Sequence, residues 1–152
     1  MKRYMPFMLA STLLAPAVGS SNDVQPKEAK TLSAIVQGLE EKGIGPFVEA
    51  SYDDGLIEVE AYRDDESLEL TVDPATGDVL SEHRDEPEPR PPQGSLKFSE
   101  ILSRMEDSGH VRVNEASFER RYWEVETIRD NTKYESHVDP KSGDVISERV
   151  DD

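Results

Sequence analysis

The chain contains no cysteine. That absence removes disulfides, thiolate metal centres and a thiol nucleophile together. It also removes the cysteine that a lipoprotein anchor needs. Basic residues are few, 17 Lys and Arg against 33 Asp and Glu, giving a formal charge of −16. A surface of that sign repels nucleic acid and anionic lipid, which excludes both as partners. Histidine is scarce, three in 152 residues. His83, His110 and His137 have no second histidine at helical or zinc-type spacing. Long apolar runs are missing beyond the N-terminus, so no later stretch reads as a membrane span.

The one apolar run lies in "MKRYMPFMLASTLLAPAVGSS". Lys2 and Arg3 precede it, Pro6 and Pro16 break it, and small residues end it. This is the layout of a secretory signal, residues 1–19, cut after Gly19 or, alternatively, after Ala17. Losing Lys2 and Arg3, with no acid in the leader, takes the formal charge from −16 to −18. The expected address is periplasmic or secreted, with no membrane association once the signal is removed.

The most informative feature is repetition. "VDPATGDVLSE" at Val72–Glu82 returns as "VDPKSGDVISE" at Val138–Glu148. The match extends without a gap from Leu32–Glu86 onto Phe98–Asp152, with 22 of 55 pairs identical. The sequence therefore divides into a polar, flexible segment (20–30), a first repeat (31–85), a proline-rich linker "EPEPRPPQGS" centred on 86–95, and a second repeat (96–152).

Each repeat opens with an apolar stripe at helical spacing, Leu32, Ile35, Val36 and Leu39, then Phe98, Ile101, Leu102 and Met105. Thr31 and Ser95 are the expected N-caps, and Gly43 and Gly109 the expected C-terminal glycines. Period-two segments follow: "FVEASY" and "VNEASF", "LIEVEAYR" and "YWEVETIR", "SLELTVD" and "KYESHVD", with "DVLSE" and "DVISE" as a short fourth. The expected fold is α+β, two tandem repeats, each one helix packed on a three- to four-stranded antiparallel sheet. Separate beads and docked units both fit this pattern. Docking with pseudo-two-fold symmetry is favoured, because units this small are marginal alone.

Within that frame "DPATGD" is a turn: Pro74 presets φ, Asp73 bonds back to the backbone, and Gly77 supplies a positive φ. Asp73 and Asp78, with Asp139 and Asp144 in the second copy, are the candidate metal ligands, though the loop lacks the alternating oxygens of a calcium loop. Trp123 is expected in the core, where Ile57 is its counterpart. An exposed Tyr122/Trp123 patch is the partner-binding alternative. The "EVE" acids, Glu58 and Glu60, Glu124 and Glu126, read as a solvated strand face. No catalytic set and no cofactor motif is present, so the chain reads as a non-enzyme.

The run from Gly43 through "FVEASYDDGLIEVEAY" to "LELTVDPATGDVL" resembles the PepSY domain, and the second copy repeats the resemblance, most specifically at Val138-Asp139-Pro140 and Gly143-Asp144-Val145. It covers nearly all of residues 31–152. The resemblance implies a small α+β module of protease propeptides and bacterial envelope proteins, with no catalytic residues to transfer. It implies an exported binding module acting on another protein, a protease to inhibit or a sensor ectodomain to regulate. The alternative carried by the charge is an acidic, divalent-binding periplasmic protein.

Overall fold

The computed structural model describes residues 29–109 and 112–152. The expected signal, most of the polar segment and His110 lie outside the described residues. The elements run α1 (Leu32–Glu41), β1 (Phe47–Asp53), β2 (Leu56–Arg63), β3 (Glu66–Val72), β4 (Val79–Arg84), α2 (Phe98–Asp107), β5 (Arg112–Glu119), β6 (Tyr122–Arg129), β7 (Thr132–Val138) and β8 (Val145–Val150).

Local chemistry accounts for most of these boundaries. Thr31 Oγ1 accepts the Ala34 N–H at 3.3 Å and starts α1, while Gly43, at φ 85°, ends it. Ser95 does not cap α2. The N-cap is Lys97, the positional counterpart of Thr31, and the Ser95 hydroxyl donates to Pro92 O at 2.7 Å instead. Short connections join the strands, with Asp54–Gly55, Asp64–Asp65 and Asp130–Asn131 all at positive φ. This matches the twist of two-residue hairpins.

The strands form one antiparallel sheet of eight, ordered β4-β3-β2-β1-β5-β6-β7-β8. This corrects the expectation of one three- to four-stranded sheet per repeat: the strands of both halves belong to a single sheet. The physical reason lies at β1 and β5. Each is the first strand of its own meander, and its outer edge would expose a row of unpaired backbone groups. They pair with one another instead, Glu49 opposite Ser117, Ala50 opposite Ala116 and Ser51 opposite Glu115. The pairing is self-symmetric: Ala116 is the counterpart of Ala50, and Ser117 and Glu115 are those of Ser51 and Glu49. Alanine on both sides, 0% exposed, lets the helices close over the seam.

Both helices cover one face. The α1 and α2 stripes join Ala50, Val59, Leu70, Ala116 and Val125 in a single buried cluster. Phe98 stacks on Trp123 at 4.2 Å between ring centroids, and Phe47 and Phe118 pack beside them. The helices are tied by Ser33, whose N–H donates to Glu106 Oε1 at 3.0 Å and whose hydroxyl donates to Glu106 Oε2. The proline-rich connection is strapped to the first half. Ser67 Oγ donates to Glu86 O at 3.2 Å, Tyr62 Oη donates to Glu88 O at 2.6 Å, and the Arg90 guanidinium lies 4.5 Å over the Tyr62 ring.

Candidate functional site

A strand buries alternate side chains, so the face opposite the helices is set by the same period that builds the core. Across that face run two rows defined by register. One reads His83, Glu69, Glu60, Glu49, Ser117, Glu124, His137 and Ser147. The other reads Ser81, Thr71, Glu58, Ser51, Glu115, Glu126, Glu135 and Arg149. The "EVE" and "EAS" segments supply six glutamates, and Glu69 on β3 and Glu135 on β7 bring to eight the number side by side on an uncovered sheet.

These acids are not simply solvated, as the sequence suggested. Burial on the sheet pushes the Glu49 carboxyl up from 4.5 to about 7, and the like charges of Glu60, Glu115, Glu88 and Glu119 add to it. Glu60, Glu115 and Glu124 are raised for the same two reasons, burial first. Glu135 is lowered, chiefly by its hydrogen bond from Arg149. The two halves are compensated differently. Lys133 pairs with Glu126 at 3.2 Å and Arg149 with Glu135 at 2.7 Å, whereas their counterparts in the first half are Ser67 and His83. The first-half acids Glu49, Glu58, Glu60 and Glu69 border a shallow depression of about 450 Å³.

The sequence-derived candidates are distributed elsewhere. Asp73 and Asp139 sit in the two hairpin loops. Asp73 Oδ1 accepts the Ala75 N–H at 2.8 Å, and Asp139 Oδ1 accepts the Lys141 and Ser142 N–H groups at 2.8 and 3.0 Å. Those backbone bonds hold the Asp139 carboxyl below its ordinary range. Asp78 and Asp144 close the same loops by accepting the Asp73 and Asp139 N–H groups at their carbonyls, 2.9 Å in each case. The glycine of the second loop, Gly143, is at φ 74°, and a Cβ there would also lie 2.7 Å from an Arg104 guanidinium nitrogen, which donates to Ser142 O. Trp123 is 1% exposed and belongs to the core. Tyr122 is half-buried on the open face and stacks on His137 at 4.1 Å. A groove of about 860 Å³ runs between the linker and the Gly43–Phe47 segment, bordered by Trp123.

Among the described residues, the one three-residue group with metal-ligand geometry is Glu124, Glu135 and His137. Sequence spacing hides it, because cross-strand register rather than i+3 or i+4 spacing brings these residues together. Alternation in "YWEVETIR" and "KYESHV", joined by a two-residue turn, is the signal that would have revealed it.

A family model described as peptidase propeptide and YPEB domain matches residues 5–83, and a second model of the same description matches 103–149. No curated protein matches the chain. Among solved structures, a candidate lipoprotein from Clostridium difficile 630 aligns at 15% identity and TM-score 0.46, covering 86% of this chain and 98% of its own. The YpeB C-terminal domain of Bacillus megaterium aligns at 12% identity and TM-score 0.33, covering 83% and 67%. A BLIP-like protein from Bacteroides fragilis NCTC 9343 aligns at 13% identity and TM-score 0.32, covering 80% and 86%.

Proposed function

The chain belongs to the PepSY family, the peptidase propeptide and YPEB domain, and from that premise we propose that it is an exported, non-catalytic binding module. Its open sheet face takes a cationic surface of another protein, a protease or a sensor ectodomain. The observation that carries this reading is the pair of glutamate rows on the uncovered face. Such a face repels acidic proteins and steers basic ones toward it, which gives selectivity and fast encounter. Burial first, and the neighbouring glutamates second, raise these carboxyl pKa values, and a partner's lysines or arginines would offset the like-charge part. No helix of the described residues is long and apolar enough to cross a membrane.

The same reading takes the molecule as one unit duplicated, residues 31–85 and 96–152, with 86–95 between them. Equivalent pairings support it: Tyr52 opposite Ile57 in one half corresponds to Phe118 opposite Trp123 in the other.

The test is affinity capture from the native envelope and secreted fraction on immobilised protein at two salt concentrations. A Glu58→Gln/Glu60→Gln/Glu69→Gln variant runs in parallel. A single basic-faced protein retained by the native chain and lost by the variant supports the assignment. Equal capture by both sinks it.

A further inference from the structure

On β6 and β7, Glu124 stands opposite His137, and Glu126 stands opposite Glu135. The pleat brings Glu124, Glu135 and His137 to the open face, each half-buried, with one donor atom from each within 4.8 Å of the others. His137 Nε2 lies 3.4 Å from Glu135 Oε1 and 3.6 Å from Glu124 Oε2. Both separations exceed the 2.7–3.2 Å range of an N–H···O bond. They fall in the range of the edges of a small metal polyhedron. With Zn–N and Zn–O bonds of about 2.1 Å, tetrahedral geometry puts neighbouring ligand atoms about 3.4 Å apart. We propose that Glu124, Glu135 and His137 form a site for a divalent transition metal of the zinc type, with solvent completing the coordination. The site does not depend on the partner-docking reading.

The donor set and its surroundings fit that metal class. Imidazole selects zinc, copper, nickel and iron over calcium and magnesium, and two carboxylates balance a double positive charge. The Tyr122 ring stacks on His137 at an interplanar angle of 20° and fixes the imidazole plane. Arg149 donates to Glu135 Oε1 at 2.7 Å. A carboxylate offers about four lone-pair sites, so Glu135 keeps this bond while ligating, and such outer partners orient ligands in known metal sites.

The molecule carries its own control. The counterparts in β2 and β3 are Glu58, Glu69 and Thr71, in the same register. Thr71 Oγ1 donates to both Glu58 oxygens, at 3.1 and 3.0 Å. The first half has the two carboxylates and lacks the imidazole. A specific site therefore predicts one tight ion per chain, whereas adsorption to an acidic face predicts several weak ones.

The experiment is titration of the purified chain, free of any histidine tag, with zinc chloride by calorimetry, alongside His137→Thr. That substitution copies the residue at the equivalent position in the first half. The expected result is one ion per chain, weakened at least about 100-fold in the variant, the upper end of what even an outer-shell loss costs. The wild-type chain supplies two further readouts. Cobalt(II) should give the intense visible absorption of a four-coordinate ion, and zinc should shift the ring nitrogens of His137 in NMR while leaving His83 and His110 unmoved. Equal zinc binding by His137→Thr, a hexa-aqua cobalt spectrum, or shifts at the other two histidines would each overturn the assignment.

Discussion

Neutralising Glu49 should stabilise the protein at alkaline pH and leave it unchanged in acid. Glu49 sits at the centre of the open face, on the strand that joins the two halves. Glu60 and Glu115 face it from the adjoining strands, Glu88 from the linker and Glu119 from the end of β5. Burial, with the like charges second, lifts its folded pKa from the ordinary 4.5 to about 7. The folded state therefore holds this proton more tightly than the unfolded chain does. Below pH 4.5 the group is protonated in both states and imposes no penalty. As pH rises toward 7, the unfolded chain releases the proton first and stability falls. Above the folded pKa the loss is complete. At about 1.4 kcal/mol per pKa unit the ceiling is roughly 3 kcal/mol. Solvent over an open face raises the effective dielectric, which reduces this to about 1–2 kcal/mol. Glu49→Gln removes the titration while preserving shape. Urea melts of both proteins at pH 4 and pH 8.5 should coincide at the lower pH and separate by that amount at the higher, the variant being more stable. Every kcal/mol corresponds to about 2–8 °C in Tm. A difference that is equal at the two pH values, or a variant that is less stable at pH 8.5, would refute the reasoning.

Other perturbations test separate parts of the structure. Gly94→Ala sits at φ 84° with open space around the Cβ, so denaturant melts should show about 1–2 kcal/mol lost to the backbone alone, and Gly143→Ala, which also meets the Arg104 and Leu96 side chains, should lose more. Trp123→Ala removes the largest fully buried side chain and the Phe98 stack, and should cost about 3–5 kcal/mol by equilibrium unfolding. Arg120 holds φ 60° without being glycine, so Arg120→Gly should raise the melting midpoint by the equivalent of about 1 kcal/mol. Adding salt at pH 8 should raise Tm more for the native chain than for Glu49→Gln, because screening acts on the repulsion that the variant has already reduced.

Much of this architecture was written locally. The stripe Leu32, Ile35, Val36 and Leu39 buries as its spacing requires, and the alternation through Ile57, Val59 and Ala61 builds the covered face. The loop "DPATGD" turns as its Asp, Pro and Gly dictate. The single sheet was not legible, because a strand's pattern fixes which face is buried without naming the neighbour. "EAS" at Glu49 and at Glu115 was visible as a repeated phrase, yet its two copies turn out to pair with each other. Ser95 misled for a related reason: it has the chemistry of a cap but sits two residues before the cap position of its own repeat. The histidine group was hidden because register, unlike spacing, is a property of the assembled hairpin. The raised acids were hidden because eight strands shield glutamates that four would leave wet.

The Ala50–Ala116 seam is self-complementary. Ala50 opposite Ala116, flanked by Glu49 opposite Ser117 and Ser51 opposite Glu115, is the contact a half-length chain would make with a second copy of itself. An edge that complements its own kind can join two molecules. In one chain the same edge joins two halves, and the two sides need not stay identical. Thr71 and His137 show that freedom: a symmetric dimer of half-length chains would carry the same side chain at both positions, and this chain does not.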